Sequence, residues 1–69
     1  MEKKFFVVPV NDLWAVKEEG KQTPIAVYPQ KEEAIKRGKA AAKLNEAELI
    51  IEHGDGIIEN FNFTNQPAV

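Results

Sequence analysis

The chain has 69 residues, 43% of them apolar, with nine basic and eleven acidic side chains, one histidine and no cysteine. This length predicts one domain with a core of marginal stability, which dimerisation or a partner could strengthen. The composition excludes disulfides and thiolate metal sites, favours a reducing cytoplasmic setting, and at a net charge of −2 argues against non-specific nucleic-acid binding.

The first predicted strand, Lys4–Val10, is rich in β-branched and aromatic residues. Its apolar run is too short to span a membrane or to act as a secretory signal, so no membrane partner is predicted. Pro9 cannot donate a ladder hydrogen bond, which favours an edge position or a strand end. Because an exposed apolar edge is a template for another strand, this segment is the candidate partner-binding strand. Its candidate contact residues are Phe5, Phe6, Val7 and Val8.

Two further strands are predicted before the helix. Leu13–Glu18 follows a short turn and carries Trp14 and Val16 on one face, so the first two strands form a hairpin. Residues 23–28 form a third short strand after the turn at Gly20, which can adopt a positive φ without steric cost.

The one predicted helix spans residues 30–45, where small and apolar residues recur on one face at the helical period. That face is flat, because Gly38, Ala41 and Ala42 have little side-chain volume. Close packing on the sheet is favoured over a ligand groove, and we expect Trp14 to fill the space beneath the helix as the central core residue. The predicted core comprises Trp14, Val16, Ile35, Gly38, Ala42, Leu49 and Ile51.

Two strands follow the helix and complete the domain. Residues 48–53 and 56–63 adjoin Gly54-Asp55-Gly56, whose residue types favour a tight hairpin turn. The order β-β-β-α-β-β predicts an α+β fold, with a single antiparallel sheet and one helix packed across one face. Residues 1–64 form this domain, and residues 65–69 are predicted to be a flexible tail.

Three segments, in this order and spacing, carry a resemblance to a known family. They are W-A-V-K-E-E-G at 14–20, K-E-E-A-I at 31–35 and A-E-L-I-I-E-H-G-D-G-I-I at 47–58. Over roughly residues 3–61 the chain resembles the bacterial and phage family catalogued as domain of unknown function 2188. The resemblance implies a small α+β domain with one helix on an antiparallel sheet, and it implies no established activity. The chain departs from the family's pattern at Gln30, where Ser or Thr is usual.

Candidate catalytic residues are few. His53 is the only histidine, and with Glu52 or Asp55 it could serve as a base or a metal ligand. However, alternate strand residues point to opposite faces, which separates Glu52 from His53, and a catalytic zinc normally has three protein ligands. A structural histidine is therefore favoured, and we predict no catalytic residue, no metal site and no cofactor. Gly54 and Gly56 precede a strand rather than a helix, so a phosphate-binding loop is not expected.

The exterior of the helix carries the main charge asymmetry. Five basic and two acidic side chains give residues 31–43 a net charge of +3, which leaves −5 for the rest of a chain whose total is −2. A solvated helix face is the simpler interpretation, and the alternative is weak binding of double-stranded nucleic acid through Lys36, Lys39 and Lys43. The net charge of −5 outside the helix is likewise interpreted most simply as an aid to solubility. The alternative is that these acidic side chains bind a basic surface of another protein.

The leading prediction is a small non-enzymatic interaction domain in the cytoplasm. Its partner is expected to be a protein, either a second copy of the chain or a host target on which it acts as a phage-type modulator. The motivation is a marginal core, an apolar first strand and few groups that could form a catalytic site. Nucleic-acid binding through the helix is the alternative function.

Overall fold

The computed structural model describes residues 3–63. Its elements in chain order are β1 (Lys4–Val10), β2 (Leu13–Glu18), β3 (Ala26–Tyr28), α1 (Lys31–Leu44), β4 (Glu48–Glu52) and β5 (Ile58–Asn62). This order confirms an α+β fold with one helix in the described part of the chain. Residue 64, the last of the predicted domain, and the predicted tail at 65–69 lie outside the described residues.

Local signals account for most of these boundaries. β1 and β2 have their predicted bounds, and α1 lies within the predicted helix. β3 is shorter than predicted and begins at Ala26, because Pro24 cannot donate a ladder hydrogen bond. The turn between β4 and β5 places Gly54 at φ 90° and Gly56 at φ 88°, a backbone region that glycine enters without a steric penalty.

The five strands form one sheet in the order β3-β2-β1-β4-β5. β1 and β4 pair in parallel, whereas the other neighbouring strands are antiparallel. The prediction of a purely antiparallel sheet is therefore wrong, and the sheet is mixed. The reason is the crossover, since α1 carries the chain from β3 to the far side of β1 and returns it so that β4 runs in the direction of β1.

β1 is the middle strand of this sheet. β2 pairs with it from Phe5 to Val10, and β4 pairs with it from Lys4 to Val7. Pro9 lies beyond the β4 ladder, where its missing N–H leaves no break in that pairing. The prediction of an exposed edge strand is wrong, because β1 is central and its residues from Phe5 to Val7 pair with strands on both sides.

The core lies between α1 and one face of the sheet. Gly38 marks the closest approach, since a Cβ there would lie 2.9 Å from Val7 Cγ2 and 3.1 Å from Leu49 Cδ1. Only a residue without a side chain lets the helix lie this close to β1 and β4. The other buried residues of this core are Phe5, Val16, Ala34, Ala41, Ala42, Ala47 and Ile51.

Trp14 is not the central core residue. Its side chain is partly buried and packs at the periphery of the core, as does Ile35. The Lys31 ammonium lies 5.7 Å from the centroid of the indole ring. The prediction that Trp14 fills the space beneath the flat helix face is wrong, because Val7 and Leu49 occupy that space.

Candidate interaction surface

The sheet has a second face, which α1 does not cover. Side chains paired directly across neighbouring strands point to the same face, so the strand register identifies its members. We call this surface the helix-free face. Its apolar members are Phe6, Val8, Val10, Leu13, Ala15, Val27, Ile50 and Ile58.

This face is apolar and accessible at the same time. Val10, Leu13 and Val27 are exposed to 40%, 43% and 47%, and Ile58 to 65%. An antiparallel sheet with one solvated face usually alternates apolar side chains toward the core with polar side chains toward water. Here both faces of β1 are apolar, which is the pattern of a surface that packs against another surface.

A recess of about 260 Å³ lies at the β2 and β3 side of the helix-free face. Ala15 forms its floor, because its methyl group is small and its register neighbours Val8 and Val27 are larger. Pro24, from the segment between β2 and β3, contributes to the wall. The recess can therefore receive an aliphatic side chain from outside.

The charges on the helix-free face are divided between its two halves. Lys17 lies on β2, level with Phe6, and Glu48 and Glu52 lie on β4. Lys4 lies on the central strand β1, beside Glu48 of the same copy. Glu48 accepts a hydrogen bond from the Asn60 side-chain amide. The β2 half of the face is thus basic and the β4 half is acidic.

The structure divides the predicted partner-binding residues between the two faces. Phe5 and Val7 are buried beneath α1, whereas Phe6 and Val8 lie on the helix-free face. Alternation along β1 explains the division, because successive side chains point to opposite faces. From Phe5 to Val7 the backbone of β1 is paired on both sides, and two of the four side chains lie on a surface that a partner can reach.

The predicted nucleic-acid residues do not act as one set. The Lys39 ammonium lies 4.5 Å from the centroid of Phe61, and the Lys43 ammonium lies 5.5 Å from that of Phe63. Lys36 instead lines a recess beside Tyr28. The aromatic rings attract two of these ammonium groups and would compete with phosphates for them. Nucleic-acid binding stays a prediction.

His53 joins three elements of the fold. Its Nδ1 lies 3.1 Å from Lys31 Nζ at the start of α1, and its Nε2 lies 2.9 Å from Glu59 Oε1 on β5. An ammonium group can only donate, so Nδ1 accepts, and Nε2 carries the proton that it donates to the carboxylate. Sequence reasoning missed both partners, because Lys31 is 22 residues away in the chain.

The described residues offer no arrangement for metal chemistry: no group of three or more His, Cys, Asp or Glu side chains in residues 3–63 could hold a metal ion. Over the same range, no helix has the length and apolar character needed to cross a membrane.

Comparison with known proteins identifies a family to which most of the chain is similar. The family model described as uncharacterized protein conserved in bacteria (DUF2188) matches residues 5–62. This range includes α1 and all five strands except Lys4, the first residue of β1. No curated protein and no solved structure matches the chain.

Proposed function

We propose that this chain, which belongs to the bacterial family DUF2188, is a non-enzymatic interaction domain that binds an apolar protein surface with its helix-free face. The observation that carries the proposal is the unbroken row formed by Val8, Ala15 and Val27 across three strands. Val10 and Leu13, which pair across β1 and β2, form a second apolar row beside it.

The size of the face supports this proposal. With strands ~4.8 Å apart and ~3.3 Å per residue, a five-stranded face with about five residues per strand covers roughly 400 Å². This area includes the polar side chains of the face, and its apolar part lies near the lower limit of the patches of about 300–600 Å² that are often functional on small proteins. Covering the face would remove from water the side chains of Val10, Leu13 and Val27, which the fold itself leaves accessible.

Site-specific photo-cross-linking in cells tests the proposal. A photoreactive phenylalanine analogue is placed at Leu13, on the helix-free face, and in a second variant at Leu44, at the end of α1. Leu44 is the stringent control, because it is 85% exposed and Leu13 only 43%, so accessibility alone would favour reaction at Leu44. We expect a discrete polypeptide adduct, identified by mass spectrometry, from position 13 and none from position 44.

Other results of the cross-linking experiment argue against the proposal. Equal yields from both positions would mean that the probe reports chance collisions. A discrete adduct from position 44 alone would assign binding to the helix side of the domain. Either result would remove the helix-free face as the site of binding.

A further inference from the structure

We propose that the partner of the helix-free face is a second copy of this chain, packed face to face about a two-fold axis parallel to β1. The inference rests on the proposed function and names its partner. Isologous dimers are the commonest oligomers, and their interfaces must be self-complementary. The helix-free face meets that requirement in its strand order, its shape and its charge.

Strand order provides the first element of self-complementarity. β1 lies in the middle, with β2 and β3 on one side and β4 and β5 on the other. A two-fold rotation about an axis along β1, in the plane between two copies, places β2 over β4 of the second copy and β3 over β5. Phe6 and Val8 then meet their own counterparts at the centre.

Shape provides the second element. The recess with Ala15 as its floor lies on the β2 and β3 half, and Ile58 projects from β5 on the opposite half at 65% exposure. The register places them at one height: Val27, Ala15 and Val8 are level, and β4 continues that row with Glu52, which pairs with Ile58. The rotation therefore brings each Ile58 over Val27, in the wall of the other copy's recess, and Glu52 over Ala15.

Charge provides the third element. The same rotation places Lys17 of one copy over β4 of the other, where Glu48 and Glu52 lie. Each glutamate is two residues from the Ile50 position that faces Lys17, a step of about 7 Å that the long side chains can span. Any packing of β2 over β2 would place basic strand on basic strand and acidic strand on acidic strand. The charges therefore favour the two-fold axis parallel to β1 over an arrangement that packs β2 on β2.

The area of the face sets the expected strength. About 400 Å² per copy, or about 800 Å² in total, is less than stable interfaces bury, so the dimer is a weak and transient one. The dimer should therefore form reversibly, and its assay must cover a wide concentration range, from about 1 µM to about 1 mM.

A charge exchange tests the arrangement by sedimentation equilibrium. Lys17→Glu alone sets a new carboxylate against acidic β4, and Glu52→Lys alone sets a new ammonium group against Lys17. Each variant should therefore dimerise at least ~10-fold more weakly than the wild type. When the two variants are mixed in equal amounts, position 17 of each chain again faces unlike charge on β4 of the other chain. We therefore expect a heterodimer of nearly wild-type affinity. Lys36→Glu, on the helix exterior, is the matched control and should dimerise as the wild type does.

Three results would overturn the inference: a wild-type chain that stays monomeric at every concentration, single variants that dimerise like the control, or a mixture that fails to associate. The inference and the proposed function fail separately. If the chain is monomeric but position 13 forms an adduct with a different protein, the second copy is excluded and binding through this face stands. If no adduct forms at position 13, the face itself is excluded.

Discussion

The two faces of the sheet are built from similar apolar residues but have different surroundings. Beneath α1, Val7, Val16, Leu49 and Ile51 are fully buried. On the other face, side chains of the same kind, such as Leu13, remain accessible. Hydrophobicity therefore does not distinguish a covered face from an open one. What distinguishes them is the position of α1, whose small residues pack closely on one face, while no helix in residues 3–63 covers the other.

The largest expected effect comes from removing a side chain on the covered face. Leu49→Ala should lower the free energy of unfolding by about 3 kcal/mol, because it leaves a cavity beneath α1 that the packed helix cannot fill. Leu13→Ala, the same change on the helix-free face, should cost less than about 1 kcal/mol in the monomer. Urea denaturation at low protein concentration measures both. Equal costs would contradict the distinction between the faces.

Trp14→Ala should have an intermediate effect of about 2 kcal/mol, below the cost of deleting a fully buried tryptophan, because the indole packs at the periphery of the core. Thermal unfolding followed by circular dichroism measures it. Trp14→Phe retains an aromatic ring and serves as the control, with less than half the loss. A loss of stability larger than that of Leu49→Ala would show that Trp14 is a central residue of the core.

Gly38→Ala tests how closely the helix lies on the covered face. The added methyl group meets Val7 Cγ2 at 2.9 Å, so neighbouring atoms must shift, and this outweighs the gain of about 1 kcal/mol in helix propensity. We expect a net loss of about 1 kcal/mol. A double-mutant cycle with Val7→Ala should show coupling, since the smaller residue vacates the space. A stabilised Gly38→Ala variant would mean that the helix stands further from the sheet.

An effect no larger than that of Gly38→Ala is expected at the margin of the covered face. His53→Ala removes hydrogen bonds to Lys31 and Glu59 and should cost about 1 kcal/mol, because the site is partly exposed to water. Glu52→Ala, one residue earlier on the helix-free face, is the control and should change stability by less than about 0.5 kcal/mol. Chemical denaturation at neutral pH compares the two. Similar losses of stability in the two variants would show that the hydrogen bonds of His53 do not stabilise the fold.

The candidate site was only partly predictable from the sequence. Phe6 and Val8 were predicted to contact a partner, but by strand pairing at an edge, and the remaining apolar members of the helix-free face were assigned no role in binding. The missing information was strand order, because it decides which residues of different strands stand in one row. Alternation along β1 separates Phe5 from Phe6, but alternation does not tell which of the two lies beneath the helix.

The α+β composition, the bounds of β1 and β2, and the helix are all predictable from the sequence. They depend on residue periodicity, β-branched runs and turn residues that lie within a few positions of each other. The tertiary structure alone decided that β1 is central and parallel to β4, and that Val7 and Leu49 take the place expected for Trp14. These features depend on where the crossover through α1 returns the chain. That return is fixed by packing between residues some forty positions apart, such as Val7 and Leu49, and not by any local pattern.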